Sequence, residues 1–162
     1  MKHTRVYNYQ SGLIVLLLSV FVLFSCEEKA ESQKAELTVT NSIEVTDGWA
    51  RPGKSGMMTA AYFTISNGTN QADTLIGVST DVTENAQIHR SYETEDGLMG
   101  MEHQPFVPIS SGTHVEFKPG GLHIMIIQPT MDLNEGDSLL LGLIFSSTKT
   151  EKIKVPIQQS GN

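Results

Sequence analysis

The feature that most narrows the fold is a succession of short apolar runs that alternate in polarity or are rich in β-branched residues, each halted by turn residues. Leu37-Thr38-Val39 and Ile43-Glu44-Val45 alternate, and Ala60-Ala61-Tyr62-Phe63-Thr64-Ile65 runs on to Asn67-Gly68. Leu75-Ile76-Gly77-Val78 follows, then Val115-Glu116-Phe117 up to Pro119-Gly120-Gly121, then Leu122 to Ile127. Leu139 to Phe145 is nearly all apolar and predicts a strand buried on both faces. Ile153-Lys154-Val155-Pro156-Ile157 alternates, and Pro156 places it at a sheet edge. No apolar stripe at 3.6-residue spacing persists for three turns, so no helix is expected. The pattern predicts an all-β domain over residues 37–160, a sandwich or Greek-key barrel, with no internal repeat.

The first twenty-five residues read as an export signal. Lys2 and Arg5 precede an apolar run from Leu13 to Phe24, which is short of the ~20 residues a spanning helix needs. The run ends Leu23-Phe24-Ser25-Cys26, which resembles the lipobox of bacterial lipoproteins, although Phe24 is bulkier than the usual residue there. Cys26 is then the lipidated N-terminus, and its acyl chains would hold the protein on a membrane. Residues 26–36, charged and without apolar period, read as a flexible tether. The expected location is extracytoplasmic and membrane-anchored, on the periplasmic side of a bacterium.

Composition removes several functions. The chain has 11 Lys+Arg against 18 Asp+Glu, which argues against nucleic acid or anionic lipid headgroups as ligands. Cys26 is the single cysteine, so an intrachain disulfide, a CxxC redox pair and a cysteine zinc cluster are excluded, and a blue-copper site lacks its thiolate. No Ser-His-Asp set with a supporting motif and no paired carboxylates in context point to catalysis, so the chain is not expected to be an enzyme.

Chemistry concentrates in three strands. In Leu122-His123-Ile124-Met125-Ile126, the aliphatic residues share one face and His123 and Met125 the other. In Ala86-Gln87-Ile88-His89, His89 points opposite to Ile88. After the Asp96-Gly97 turn signal, Met99, Met101 and His103 share a parity. Two imidazoles and one or two thioethers from three strands form a soft, mostly neutral donor set. Thioethers select Cu(I) over zinc, magnesium or calcium. No thiolate grips the ion, so release to a tighter thiolate partner is chemically open. His114 reads as a solvated residue, Met57-Met58 as loop or strand-entry residues, and Met131 as packing.

These residues resemble the metal motif of the periplasmic copper chaperones called PCuAC-like: a histidine, ten residues, a methionine, twenty-one residues, then His-x-Met. Twenty-one residues separate Met101 from His123, and His123-Ile124-Met125 is the His-x-Met. Eleven separate His89 from Met101, one more than the pattern, and the surplus is assigned to a hairpin loop over residues 90–96. Asp47-Gly48-Trp49-Ala50-Arg51-Pro52, Gly56 to Asn67, Asp73-Thr74-Leu75, Asp96-Gly97-Leu98-Met99 and Lys118-Pro119-Gly120-Gly121 extend the likeness over residues 43–157. The resemblance implies a cupredoxin-like fold and an exposed Cu(I) site made of His89, Met101, His123 and Met125, with Met99 and His103 as additional candidates. It also implies delivery of copper to the CuA centre of a haem-copper cytochrome oxidase, beside a thiol-bearing partner chaperone. Copper storage or resistance without delivery, and a metal-free binding lipoprotein, are the competing functions.

Overall fold

The computed structural model describes residues 41–147 and 149–161. The expectations for the signal segment, Cys26, the tether and the Leu37–Val39 alternation lie outside the described residues. Among these there are ten strands and no helix. They are β1 (Ile43–Ala50), β2 (Met58–Asn67), β3 (Asp73–Thr80), β4 (Ala86–Glu93), β5 (Met99–His103), β6 (Val107–Ile109), β7 (Thr113–Phe117), β8 (Leu122–Ile127), β9 (Ser138–Phe145) and β10 (Thr150–Pro156).

Two sheets face each other. One has the order β1-β2-β7-β8-β4-β5 and the other β10-β9-β3-β6. The chain changes sheet after β2, β3, β5, β6 and β8, the weave expected of a Greek-key sandwich. Between the sheets lies a core in which Phe63, Ile65, Leu75, Ile109, Ile124, Ile126, Leu139, Leu141, Leu143, Phe145 and Ile157 are buried. The rings of Phe63 and Phe117 stack across β2 and β7 at 4.5 Å between centroids, a contact that adds to their area burial. An Ala50–Ile157 bridge joins the ends of β1 and β10 and links the two sheets on one side.

Most sequence signals map onto this frame. Pro156 lies in β10, at the edge of its sheet. Pro108 occupies β6 at the opposite edge, a three-residue strand too short to show a period. Two expectations change. β9 is buried on one face only: Leu139, Leu141, Leu143 and Phe145 are buried while Leu140 and Ile144 are exposed, as suits an antiparallel sheet with one solvated face. The β4–β5 loop is shorter than residues 90–96, because β4 continues to Glu93 and pairs it with Met99. The turn spans residues 94–98, closed by Thr94 and Leu98 backbone groups at 2.8 Å, with Gly97 at φ 76.

Asn67 is more than a strand terminator. It is buried, its Nδ2 donates to the carbonyls of Gln71 at 2.8 Å and Ile109 at 3.1 Å, and its Oδ1 accepts from Thr69 N and Oγ1. That uses both donors and both acceptor lone pairs of the amide.

One feature of the first sheet positions the site. β7 and β8 both run antiparallel along the same side of β2, β7 against residues 63–67 and β8 against residues 58–61. They are one long strand interrupted by Lys118-Pro119-Gly120-Gly121. This excursion is a type II turn, with proline second, Gly120 at φ 77 and Gly121 N donating to Lys118 O at 3.0 Å. It opens a gap beside Tyr62, immediately before His123.

Candidate metal centre

The outer face of the first sheet carries the polar and sulfur-bearing side chains. Cross-strand pairing sets His103 opposite His89 and His89 opposite His123. On the far side of the Lys118–Gly121 excursion, Tyr62 pairs with Trp49. The result is a line of five rings, Trp49, Tyr62, His123, His89 and His103. Successive centroids are 4.6, 6.4, 6.0 and 5.9 Å apart. Met125 sits on one side of this line, paired with Gln87 and Ala60, and Met101 on the other, paired with Ser91. Ile88 and Ile124 point the opposite way, into the core, as strand alternation requires.

Met101, His123 and Met125 line one open cleft of about 400 Å³, with Tyr62, Arg51 and Ser91 around them. His123 and Met125 are on the predicted face but are buried, at 5% and 8% exposure, whereas Met101 is 56% exposed. The expectation of an exposed site therefore holds for Met101 and not for the β8 pair. His89 is half-buried and borders both other imidazoles. Met99 and His103 are exposed on β5, Met99 at the hairpin end opposite Glu93. Among the described residues no three His, Cys, Asp or Glu side chains converge on one point. His114 is exposed, as expected; Met131, expected to pack, is exposed too, beyond the last residue of β8.

Hydrogen bonds orient two of the imidazoles. The His89 Nε2 lies 2.9 Å from Gln87 Oε1. An amide oxygen only accepts, so Nε2 carries the proton and Nδ1 keeps its lone pair. That Nδ1 is buried and has no hydrogen-bond partner. His123 Nδ1 lies 3.0 Å from the Gly121 carbonyl, which likewise makes Nδ1 the donor and leaves Nε2 with a lone pair. An imidazole that donates one N–H to an oxygen and offers the other nitrogen is oriented as metal-ligating histidines are. Burial holds the pKa of His89 below its ordinary value, and the neighbouring His123 and His103 add to the lowering. Each effect disfavours the protonated ring, which cannot ligate.

Beside the imidazoles, Arg51 Cζ stands 5.6 Å from the centre of the Tyr62 ring, a cation–π contact. Burial raises the Tyr62 pKa, and the Arg51 charge opposes that rise. Sequence reading missed Gln87 and Tyr62 as parts of the site. The signal for both was strand parity: Gln87 shares a face with His89, and Tyr62 with Met58. Met58, read as a loop or strand-entry residue, opens β2 and also lines the cleft.

The fold is a two-sheet β-sandwich of the cupredoxin-like class, with imidazoles and thioethers gathered on one outer face. The chain belongs to the LpqE-like family, described as "Putative lipoprotein LpqE-like", whose model matches residues 43–157. An uncharacterized protein of Rickettsia prowazekii is 31% identical over 122 residues, covering 72% of this chain and 66% of its own length. A protein named "Putative lipoprotein" from Leifsonia xyli subsp. xyli is 25% identical over 118 residues, covering 73% and 70%. Among solved structures, the copper-bound PCuAC domain from PmoF2 superimposes with a TM-score of 0.60 at 18% identity, covering 73% of this chain and 93% of that one. The solution structure of the Cu(I) form of DR1885 from Deinococcus radiodurans gives 0.55 at 21% identity, covering 78% and 86%. These superpositions show that the chain has the cupredoxin-like fold of PCuAC domains.

Proposed function

We propose that this chain is an extracytoplasmic Cu(I) metallochaperone, a carrier and not an enzyme, in which His89, Met101, His123 and Met125 hold one copper ion. The observation that carries this reading is the buried, partnerless Nδ1 of His89 beside His123. A buried polar atom without a partner is destabilising by ~1–3 kcal/mol, so its retention points to a ligand. Among ligands that accept an imidazole lone pair, the flanking thioethers favour a soft monovalent ion. The copper-loaded relatives of the same fold support that choice.

The residues divide the work. His89 and His123 supply neutral nitrogen, and Gln87 and Gly121 O keep the correct nitrogen proton-free. Met125 supplies a buried sulfur at the floor of the cleft and Met101 an exposed one at its rim. The site then has no anionic ligand, so a bound Cu(I) keeps its charge and stays available to a thiolate acceptor. Lipidation of Cys26 would hold the carrier at a membrane, in keeping with relatives named as lipoproteins. The recipients that fit are the apo CuA domain of a haem-copper cytochrome oxidase or a thiol-bearing copper chaperone. Transfer of Cu(I) to an apo CuA domain separates delivery from storage.

The test is replacement of both Met101 and Met125 with leucine in the full chain. The swap conserves volume and should change folding stability by less than ~1.5 kcal/mol. Cu(I) binding, measured by competition with a chromogenic chelator, should be lost. Retained affinity in the folded double variant would sink the assignment.

A further inference from the structure

Among the described residues, Arg51 is the one Lys, Arg, Asp or Glu that lines the cleft shared by His123, Met125 and Met101. A lone cation is an odd provision in a chain with 18 Asp+Glu against 11 Lys+Arg whose cargo is itself a cation. Nor is the charge neutralised nearby. The ion pairs among the described residues are Lys54–Asp132 and Lys118–Glu116, and Arg51 is in neither. Its backbone is pinned: Arg51 N donates to Ala60 O at 2.9 Å, and Arg51 O accepts from Thr59 Oγ1 at 2.9 Å. Ala60 in turn pairs with Met125. Arg51, Ala60 and Met125 therefore form one row across β2, with two strand spacings, roughly 10 Å, between the outer two backbones. The residue between them carries only a methyl group, so the row is open above β2. The guanidinium stays on this face: its Cζ stands 5.6 Å from the Tyr62 ring centre, and that ring lies 6.4 Å from the His123 ring. An ion held by His123 and Met125 is then on the order of 10 Å from a positive charge that has no counter-ion.

We propose that Arg51 is the charge-selecting residue of the site: its guanidinium, set in the copper cleft without a counter-ion, weakens the hold on Cu(II) by the square of its effect on Cu(I). This rests on the Cu(I)-carrier reading and adds what decides between the two oxidation states. Imidazole suits Cu(II) as well as Cu(I), so His89 and His123 by themselves do not reject the oxidised ion. The thioethers favour Cu(I) by softness. Arg51 adds discrimination by charge, because Coulomb repulsion scales with the charge of the ion. At 10 Å the repulsion per unit charge is worth about twofold in affinity at the dielectric of water and about fifteenfold at the lower effective value near a protein surface. Arg51 is exposed, so the lower part of that range applies. The expected effect is about two- to fourfold on Cu(I) and, squared, about four- to fifteenfold on Cu(II).

The experiment uses the full chain in detergent, as wild type, Arg51→Gln and Arg51→Lys, with circular dichroism confirming the fold. Cu(I) affinity is measured by anaerobic competition with bicinchoninate and Cu(II) affinity by competition with glycine. Arg51→Gln should bind Cu(II) about four- to fifteenfold more tightly and Cu(I) only about two- to fourfold more tightly. The reduction potential of the bound copper should fall with that ratio, by about 20–35 mV at 59 mV per decade. Arg51→Lys keeps the charge and loses the planar stacking on Tyr62, and should hold the Cu(II)-to-Cu(I) ratio within about 1.5-fold of wild type. The Arg51→Gln effect should fade at 1 M salt, where the Debye length is about 3 Å. A folded Arg51→Gln whose two affinities change by the same factor, or not at all, overturns the charge selection. So does an Arg51→Lys that behaves as Arg51→Gln, which would make the side chain a cover for Tyr62. A wild-type chain that takes up no Cu(I) removes the carrier reading and the selection together, whereas Cu(I) binding with an unshifted ratio in Arg51→Gln removes the selection alone.

Discussion

Gln87→Leu isolates the part of the site that sets which nitrogen of His89 is free. Gln87 contacts the ring through one hydrogen bond, Oε1 to Nε2 at 2.9 Å, on the side away from the proposed metal. Removing it leaves the ring in place, since His89 remains strand-paired to His103 and His123, but removes what favours the Nε2–H tautomer. One such bond contributes ~0.5–1.5 kcal/mol net, which at 1.4 kcal/mol per decade predicts roughly a two- to tenfold loss of Cu(I) affinity. Loss of the hydrogen-bond partners that orient metal ligands in other proteins costs about 10–100-fold, which bounds the effect from above. Gln87→Glu should act in the opposite sense at neutral pH. A carboxylate is a stronger acceptor from Nε2–H and raises the basicity of Nδ1, although it also raises the histidine pKa and steepens the loss of copper in acid. The assay is Cu(I) competition at pH 7 for the three proteins, with circular dichroism as the control for folding. A Gln87→Leu dissociation constant within a factor of two of wild type refutes the tautomer argument.

Further outcomes follow from the site, the core and the sequence. Because the His89 pKa is lowered by burial and then by His123 and His103, copper should be retained at pH values somewhat below the ordinary histidine range of about 6.5; binding that already fails above that range contradicts this. The sign for the apo domain is the same. The neutral ring's contribution to stability is present above the unfolded pKa and is lost as pH falls through the depressed folded value, which urea titrations against pH should show. Asp73→Ala should destabilise the domain by about 2 kcal/mol or more. This carboxylate accepts from Thr74 N at 2.7 Å, Ser146 Oγ at 2.9 Å and Ser147 Oγ at 2.6 Å; burial alone would raise its pKa, and these bonds outweigh burial to lower it. Metabolic labelling with a radioactive fatty acid should mark the wild-type chain and not Cys26→Ser, and equal labelling of the two would exclude lipidation at Cys26.

Strand positions were legible because alternation survives in a single sequence wherever one face is wet. Ile153 to Val155 and Val115 to Phe117 each show it and lie in strands, whereas Leu122 to Ile127 was legible as an apolar run and is buried on both faces. The same rule failed at Leu139 to Phe145, since an apolar residue on the solvated face does not announce its exposure: Leu140 and Ile144 look like core and are not. It failed at Val107–Ile109 because three residues are too few to carry a period. The β4–β5 loop was placed too early, since Arg90 to Glu93 are polar on a strand that lies near a sheet edge and needs little apolar character.

By itself the sequence determined the inventory and the faces. It set which residues bear imidazole and thioether groups, that Cys26 is the single thiol, and that His123 and Met125 must point away from Ile124, since those follow from covalent identity and from two-residue periodicity. Only the tertiary structure decided what those faces meet. The register of β4 against both β5 and β8 put three histidines in line, and the excursion at residues 118–121 set His123 beside Tyr62 and under the Gly121 carbonyl. Registers are relations between segments distant in the chain, fixed by packing against a shared core, and no local pattern encodes them. For that reason the identity of the ligands could be read in order along the chain, while the partnerless nitrogen of His89 and the difference between a sheltered and an exposed neighbour could not.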